Sequence, residues 1–151
     1  MMKLIMFFFV LSLSGNLTEI RNLYSNVSSS KEKQQDFITY MQKADTKKPV
    51  FQAYKGAALI LQSKNTTVKS DRKQLFVNGA GLIDKSVNKE PENIEIRLIR
   101  LSIQENIPKA LKYNSNIQED VTFISENLNH IKDSELKSYV QQYVKQSKSF
   151  K

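Results

Sequence analysis

Asn93 to Pro108 reads NIEIRLIRLSIQENIP, and the assignment of this stretch decides the fold. Ile94, Ile96 and Leu98 alternate with polar residues as in a strand, but Ile99, Leu101 and Ile103 continue in the opposite phase. The flanking patterns are helical, so an isolated strand would leave its backbone donors and acceptors without partners. Wound at about 100° per residue, the same residues sort into four faces. Ile94, Leu98 and Leu101 form one, and Ile96, Ile99 and Ile103 form a second, nearly opposite. Arg97, Arg100 and Gln104 share a third, with Glu95 and Ser102 across from them. A helix apolar on two opposite sides is packed between two layers. A central helix is therefore predicted over 93–105.

Working outward, the neighbours are helical as well. Leu17, Ile20, Leu23, Tyr24 and Val27 fall at helical spacing. The serines 28–30 punctuate, and Phe37, Ile38, Tyr40, Met41 and Ala44 mark a second helix. Pro49 ends that pattern and opens a third helix at its first turn, with Tyr54, Ala57, Ala58 and Leu61 on one stripe and a thin surface at 56–58. Ser70 or Asp71 is the expected N-cap of a fourth helix carrying Leu75, Phe76, Leu82, Ile83 and Val87. Each glycine in its middle, Gly79 and Gly81, costs roughly 1 kcal/mol relative to alanine. A close crossing against Gly56–Ala58 accounts for them; the alternative is a break between two shorter helices at 79–81. Downstream, Ile117, Val121, Phe123, Ile124 and Leu128 mark one helix. Leu136, Tyr139, Val140, Tyr143 and Val144 mark another, capped by Asp133, and the basic tail is expected to fray from about residue 146. The fold class expected is all-α, with six or seven antiparallel helices.

The first 15 residues, MMKLIMFFFVLSLSG, have the charged, apolar, small-residue order of a secretory signal peptide. Their apolar run is far shorter than the roughly 20 residues of a stable span, so export to the periplasm or medium is expected, with no stable membrane span after cleavage. Residues 16–151 then suit a single domain. The chain has no cysteine, which excludes disulfides and thiolate zinc sites, and one histidine, His130, which excludes a two-histidine metal site. No metal and no cofactor is expected. Net charge is +8 with a pI near 9.6, but the lysines are scattered and no nucleic-acid-binding signature accompanies them, so nucleic acid is not expected as a partner.

The segment LFVNGAGLIDKSVNKEPENIEIRLIRLSI resembles the second helix of a tetratricopeptide repeat and the opening of the next repeat. Gly79, Ile83, Ser86 and Pro91 match the small, apolar, small and proline positions of that family. The resemblance covers about a third of the chain, no 34-residue period recurs, and Arg97 and Arg100 replace core positions of the family. More narrowly, Tyr54–Ala58, Asn93–Pro108 and the series Tyr113, Ile117, Asp120, Phe123 and Ile124 are similar to a set of small exported bacterial proteins without assigned activity. The resemblance implies a tetratricopeptide-like, right-handed helical array and an exported location.

Two readings of the arginine face follow. Arginine forks suit bidentate oxyanion recognition, which would make Arg97, Arg100 and Gln104, with Tyr54, Tyr113 and Asp120, a pocket for a small anion or a hydrolase site. The structural reading pairs Arg97 or Arg100 with Asp120 or Glu119 on the next helix, and it is favoured because partly buried charges need such partners. His130 closes a helix, where a cation suits the dipole, and Glu90, Glu92 and Glu95 cluster at a helix start. No catalytic set emerges. The expected function is an exported interaction module that holds a peptide or protein partner.

Overall fold

The computed structural model describes residues 16–45 and 47–151; the leader read as a signal peptide lies outside them. Seven α-helices follow one another among the described residues: α1 (Leu17–Ser25), α2 (Lys31–Lys43), α3 (Pro49–Lys64), α4 (Lys69–Lys89), α5 (Ile94–Asn106), α6 (Ile117–Asn127) and α7 (Ser134–Gln146). Short 3-10 turns cover Lys109–Leu111, Leu128–His130 and Lys148–Phe150. No strand occurs among these residues, and the all-α expectation holds.

Local chemistry explains most helix starts. Asn16, Ser30, Asn93 and Asp133 each accept hydrogen bonds from backbone N–H groups of the first turn they precede, donors that otherwise lack intrahelical acceptors. Pro49 occupies the first turn of α3. The start of α4 departs from expectation. Neither Ser70 nor Asp71 is the cap: the helix begins at Lys69 behind Val68, without a side-chain cap. Asp71 lies inside the first turn instead, where its charge still suits the dipole.

The fourth helix also runs unbroken through Gly79 and Gly81. A Cβ on Gly56 would stand 2.5 Å from the Gly79 carbonyl oxygen, and one on Gly79 would stand 2.5 Å from the Gly56 carbonyl oxygen. The next contacts repeat the symmetry, since Ile83 lies over Gly56 and Ile60 over Gly79. The sequence carries the same device twice, GAALI at 56–60 and GAGLI at 79–83. Ser63 and Ser86 continue the correspondence, each bonding back to a carbonyl one turn earlier, Ile60 and Leu82 respectively. Glycine serves proximity here rather than flexibility, and α3 and α4 meet backbone to backbone. Gly81 points into open space and has no such reason.

Helix α5 divides two cores. Ile96, Ile99 and Ile103 join the cluster built from α1 to α4, around Ile20, Phe37, Tyr54 and Ile83. Ile94, Leu98 and Leu101 join Ile124 of α6 and Val140 of α7. The central position predicted from its two apolar faces is thus its observed position, with every residue from Ile94 to Gln104 buried.

Two features of the chain ends differ from a simple stack. Thr18 and Arg21 of α1 both bond Glu135 at the start of α7, at 3.1 Å each. In an open repeat array each unit touches only its neighbours; here the first and last helices meet and close the arrangement around α5. The tail, expected to fray, forms the Lys148–Phe150 turn: Ser147 is buried, and Phe150 packs against the second core. Hydroxyls of Ser147 and Ser149 bond Glu105 at 2.9 and 2.6 Å, and the Tyr143 hydroxyl bonds the same carboxylate. The tail contains the polar groups and one aromatic residue that anchor it, which a reading of charge alone overlooks.

Candidate functional site

The arginine face is filled by the protein itself. Arg100 donates from Nε to Asp120 Oδ2 at 2.8 Å and from Nη2 to Oδ1 at 2.7 Å. Arg97 Nη1 reaches Asp120 Oδ1 at 3.1 Å and also bonds Glu119. Its Nε donates to the Pro91 carbonyl at 2.9 Å, and its guanidinium lies 4.8 Å from the Phe123 ring centre. Asp120 is fully buried, so two guanidinium groups and their hydrogen bonds replace the water it loses. The Arg97 guanidinium holds the Glu119 carboxyl below the usual carboxylate range. Gln104 clamps the start of α6, donating to Asn116 Oδ1 and accepting from the Asn116 N–H, both at 3.0 Å.

The opposite polar side of α5 holds a second buried network. Arg21 forks onto Glu95 with two 2.8 Å bonds. Tyr54 donates to Glu95 Oε1 at 2.7 Å and also contacts the Tyr139 hydroxyl at 3.2 Å. One turn on from Arg21, the Tyr24 hydroxyl lies 2.6 Å from Ser102 Oγ. Burial pushes the Tyr24 phenol up to about 12 and the Tyr54 phenol well above its ordinary value. Sequence reasoning missed Arg21, and it read Glu95 as one of several acids favoured at a helix start. The available signal was position: Glu95 and Ser102 share a narrow polar side between two apolar faces, and Arg21 sits between Ile20 and Tyr24.

Five of the six residues singled out as an anion site are neighbours, Tyr113 lying beside Gln104 and Arg100, and Tyr54 stands apart. Arg97, Arg100, Asp120 and Gln104 lie on the α6 side of α5, Tyr54 lies on the far side, and Tyr113 bonds Asp84 of α4 at 2.8 Å. Only Gln104 borders any of three open cavities, and His130 borders none of them.

Those cavities adjoin one another. The central one, about 350 Å³, is bordered by Tyr24, Leu61, Lys64, Ser102, Tyr139 and Tyr143 among others. A second, about 520 Å³, lies toward the α1–α7 contact and shares Ser25, Tyr139, Gln142 and Gln146 with the first. A third, about 620 Å³, lies toward the tail and shares Ser28, Asn106, Ile107, Tyr143 and Gln146. Gln146 borders all three. Together they form a trough that starts where α1 and α7 are pinned by Arg21 and Glu135, crosses the end of α5 and finishes at the tail. Its lining is mixed: tyrosine, serine, asparagine and glutamine side chains alternate with Val27, Leu61, Ile103 and Ile107, and the central cavity presents more apolar than polar surface.

Fold and site define an all-helical arrangement built round a buried central helix, with an open trough of mixed polar and apolar lining that runs from the α1–α7 contact past the end of α5 to the tail. Compared with models of known families, with curated proteins and with solved structures, the chain matches none.

Proposed function

We propose that this protein is an interaction module that holds an extended peptide segment of a partner in the trough that runs from the α1–α7 contact to the tail. The observation that carries the reading is the trough itself: three adjoining cavities meeting at Gln146, continuous rather than a single closed pocket. Asparagine and glutamine each offer a donor and an acceptor, which matches the peptide unit. Tyr24, Tyr139 and Tyr143 supply rigid amphipathic surface with little rotamer freedom to lose. The sequence resemblance supports reading the array as tetratricopeptide-like and right-handed, and the apolar leader supports export.

The second reading, a small-anion binder or hydrolase working through Arg97 and Arg100, draws its support from the sequence pattern. In the structure both guanidinium groups are engaged by Asp120 and Glu119.

A random-peptide display selection against the full chain tests the proposal, with Gln146→Trp as the competitor variant. Gln146 is exposed, so the indole is expected to fill the trough without disturbing the core. Selected peptides should lose binding to the variant. Peptides that bind both proteins equally would place recognition elsewhere and end this reading.

A further inference from the structure

The charges lining the trough are not balanced. Two carboxylates border it and both are occupied: Glu135 by Arg21 and Thr18, Glu105 by the hydroxyls of Tyr143, Ser147 and Ser149. Arg21 is itself held by Glu95 and Glu135. Three further cations border the trough, Lys64, Lys109 and Lys148, all exposed. Among the described residues every ion pair is made by an arginine and none by a lysine. The three lysines are also unevenly placed. Lys64 borders the central cavity and Lys109 and Lys148 the tail-side cavity, while the end near Arg21 and Glu135 holds no unpaired charge.

We infer that the occupant of the trough is an acidic peptide segment, seated with its carboxylate side chains toward Lys64, Lys109 and Lys148 and its uncharged part toward Arg21. The inference rests on the peptide reading above and adds the chemistry and polarity of the partner. A carboxylate arriving at this end meets ammonium groups that pair with nothing else, at no loss of an existing ion pair. A basic segment would meet three like charges, and the two carboxylates nearby already accept hydrogen bonds from within the protein. Opposite potentials across an interface raise the rate of encounter and select against wrong partners.

The test uses the full chain and two fluorescent peptides of equal length, one alternating glutamate with threonine and one carrying glutamine in place of each glutamate. Anisotropy titrations at low salt should show the glutamate peptide binding about tenfold tighter, the scale of a few exposed ion pairs acting together. The Lys64→Glu, Lys109→Glu, Lys148→Glu protein should lose that preference. A control in which Lys43, Lys47 and Lys132, which border none of the cavities, become glutamate should keep it. Equal binding of both peptides, abolished by Gln146→Trp, would overturn the acidic preference and leave the peptide reading standing. A glutamate preference that survives the triple reversal would also overturn it. Failure of both peptides to bind, with phosphatidylglycerol vesicles captured through the three lysines instead, would overturn both readings.

Discussion

The Cβ that Gly56 lacks would stand 2.5 Å from the carbonyl oxygen of Gly79. The obstacle is backbone, which cannot swing aside as a side chain can, so α3 and α4 must part to admit a methyl group. Gly56→Ala or Gly79→Ala should therefore destabilise by about 3 kcal/mol, the upper part of the range for overpacking. Gly81→Ala meets nothing within 4 Å and should stabilise by up to about 1 kcal/mol through helix propensity alone. Urea midpoints of the three variants check this. Equal effects at Gly79 and Gly81 would show that the crossing is looser than the contact implies.

Asp120 is a hub with two arginines and no exposed surface. Arg100→Met removes the bidentate partner and leaves a buried carboxylate held by Arg97 alone. Breaking a buried pair in this way typically costs about 3–5 kcal/mol, and the thermal midpoint should fall accordingly. Arg100→Met with Asp120→Leu removes both charges and should recover part of the loss. A neutral single variant would mean that Arg97 and solvent satisfy Asp120 unaided.

Alkaline pH should unfold the protein through its phenols. Tyr24 is raised from 10.0 to about 12 by burial, and Tyr54 and Tyr139 shift in the same direction for the same reason. A group with a raised folded-state pKa keeps its proton longer in the folded chain than in the unfolded one. Its contribution is full below pH 10 and is lost as pH rises toward 12. Stability measured by denaturant titration should fall across that window, and Tyr24→Phe should flatten the fall. A stability flat to pH 12 would place these phenols in contact with water.

The tail turn depends on Glu105, which accepts hydrogen bonds from Tyr143, Ser147 and Ser149. Glu105→Leu should release it. Hydrogen exchange of the amides in 147–150 is expected to become fast, while the amides of α5 around Leu98 keep their protection. Unchanged protection of the tail would assign its anchoring to the packing of Phe150 alone.

The all-α class and the course of each helix were legible in the sequence because helical periodicity is a local property. The faces of α5 needed only its own residues and the angle between them. The Arg97 and Arg100 pairing with Asp120 was legible too, since a short connection returns α6 against α5 and brings the nearest carboxylates to the arginine face. The Gly56–Gly79 crossing was readable because glycine inside a helix is unfavourable unless something approaches it closely.

What only the tertiary structure decided involves partners far apart in the chain. Arg21 meets Glu95 across 74 positions and Glu135 across 114, and no periodicity in α1 announces which helix an arginine will find. The outcome depends on how several turns add up, and each turn rotates everything beyond it. The tail was misread for the same reason, because its hydroxyls are ordinary until Glu105 stands opposite them. The trough is the extreme case. It is the space left among α1, α3, α5, α7 and the tail once they have packed. Such a space has no residues of its own, so its shape follows from where the walls come to rest and not from any pattern along the chain.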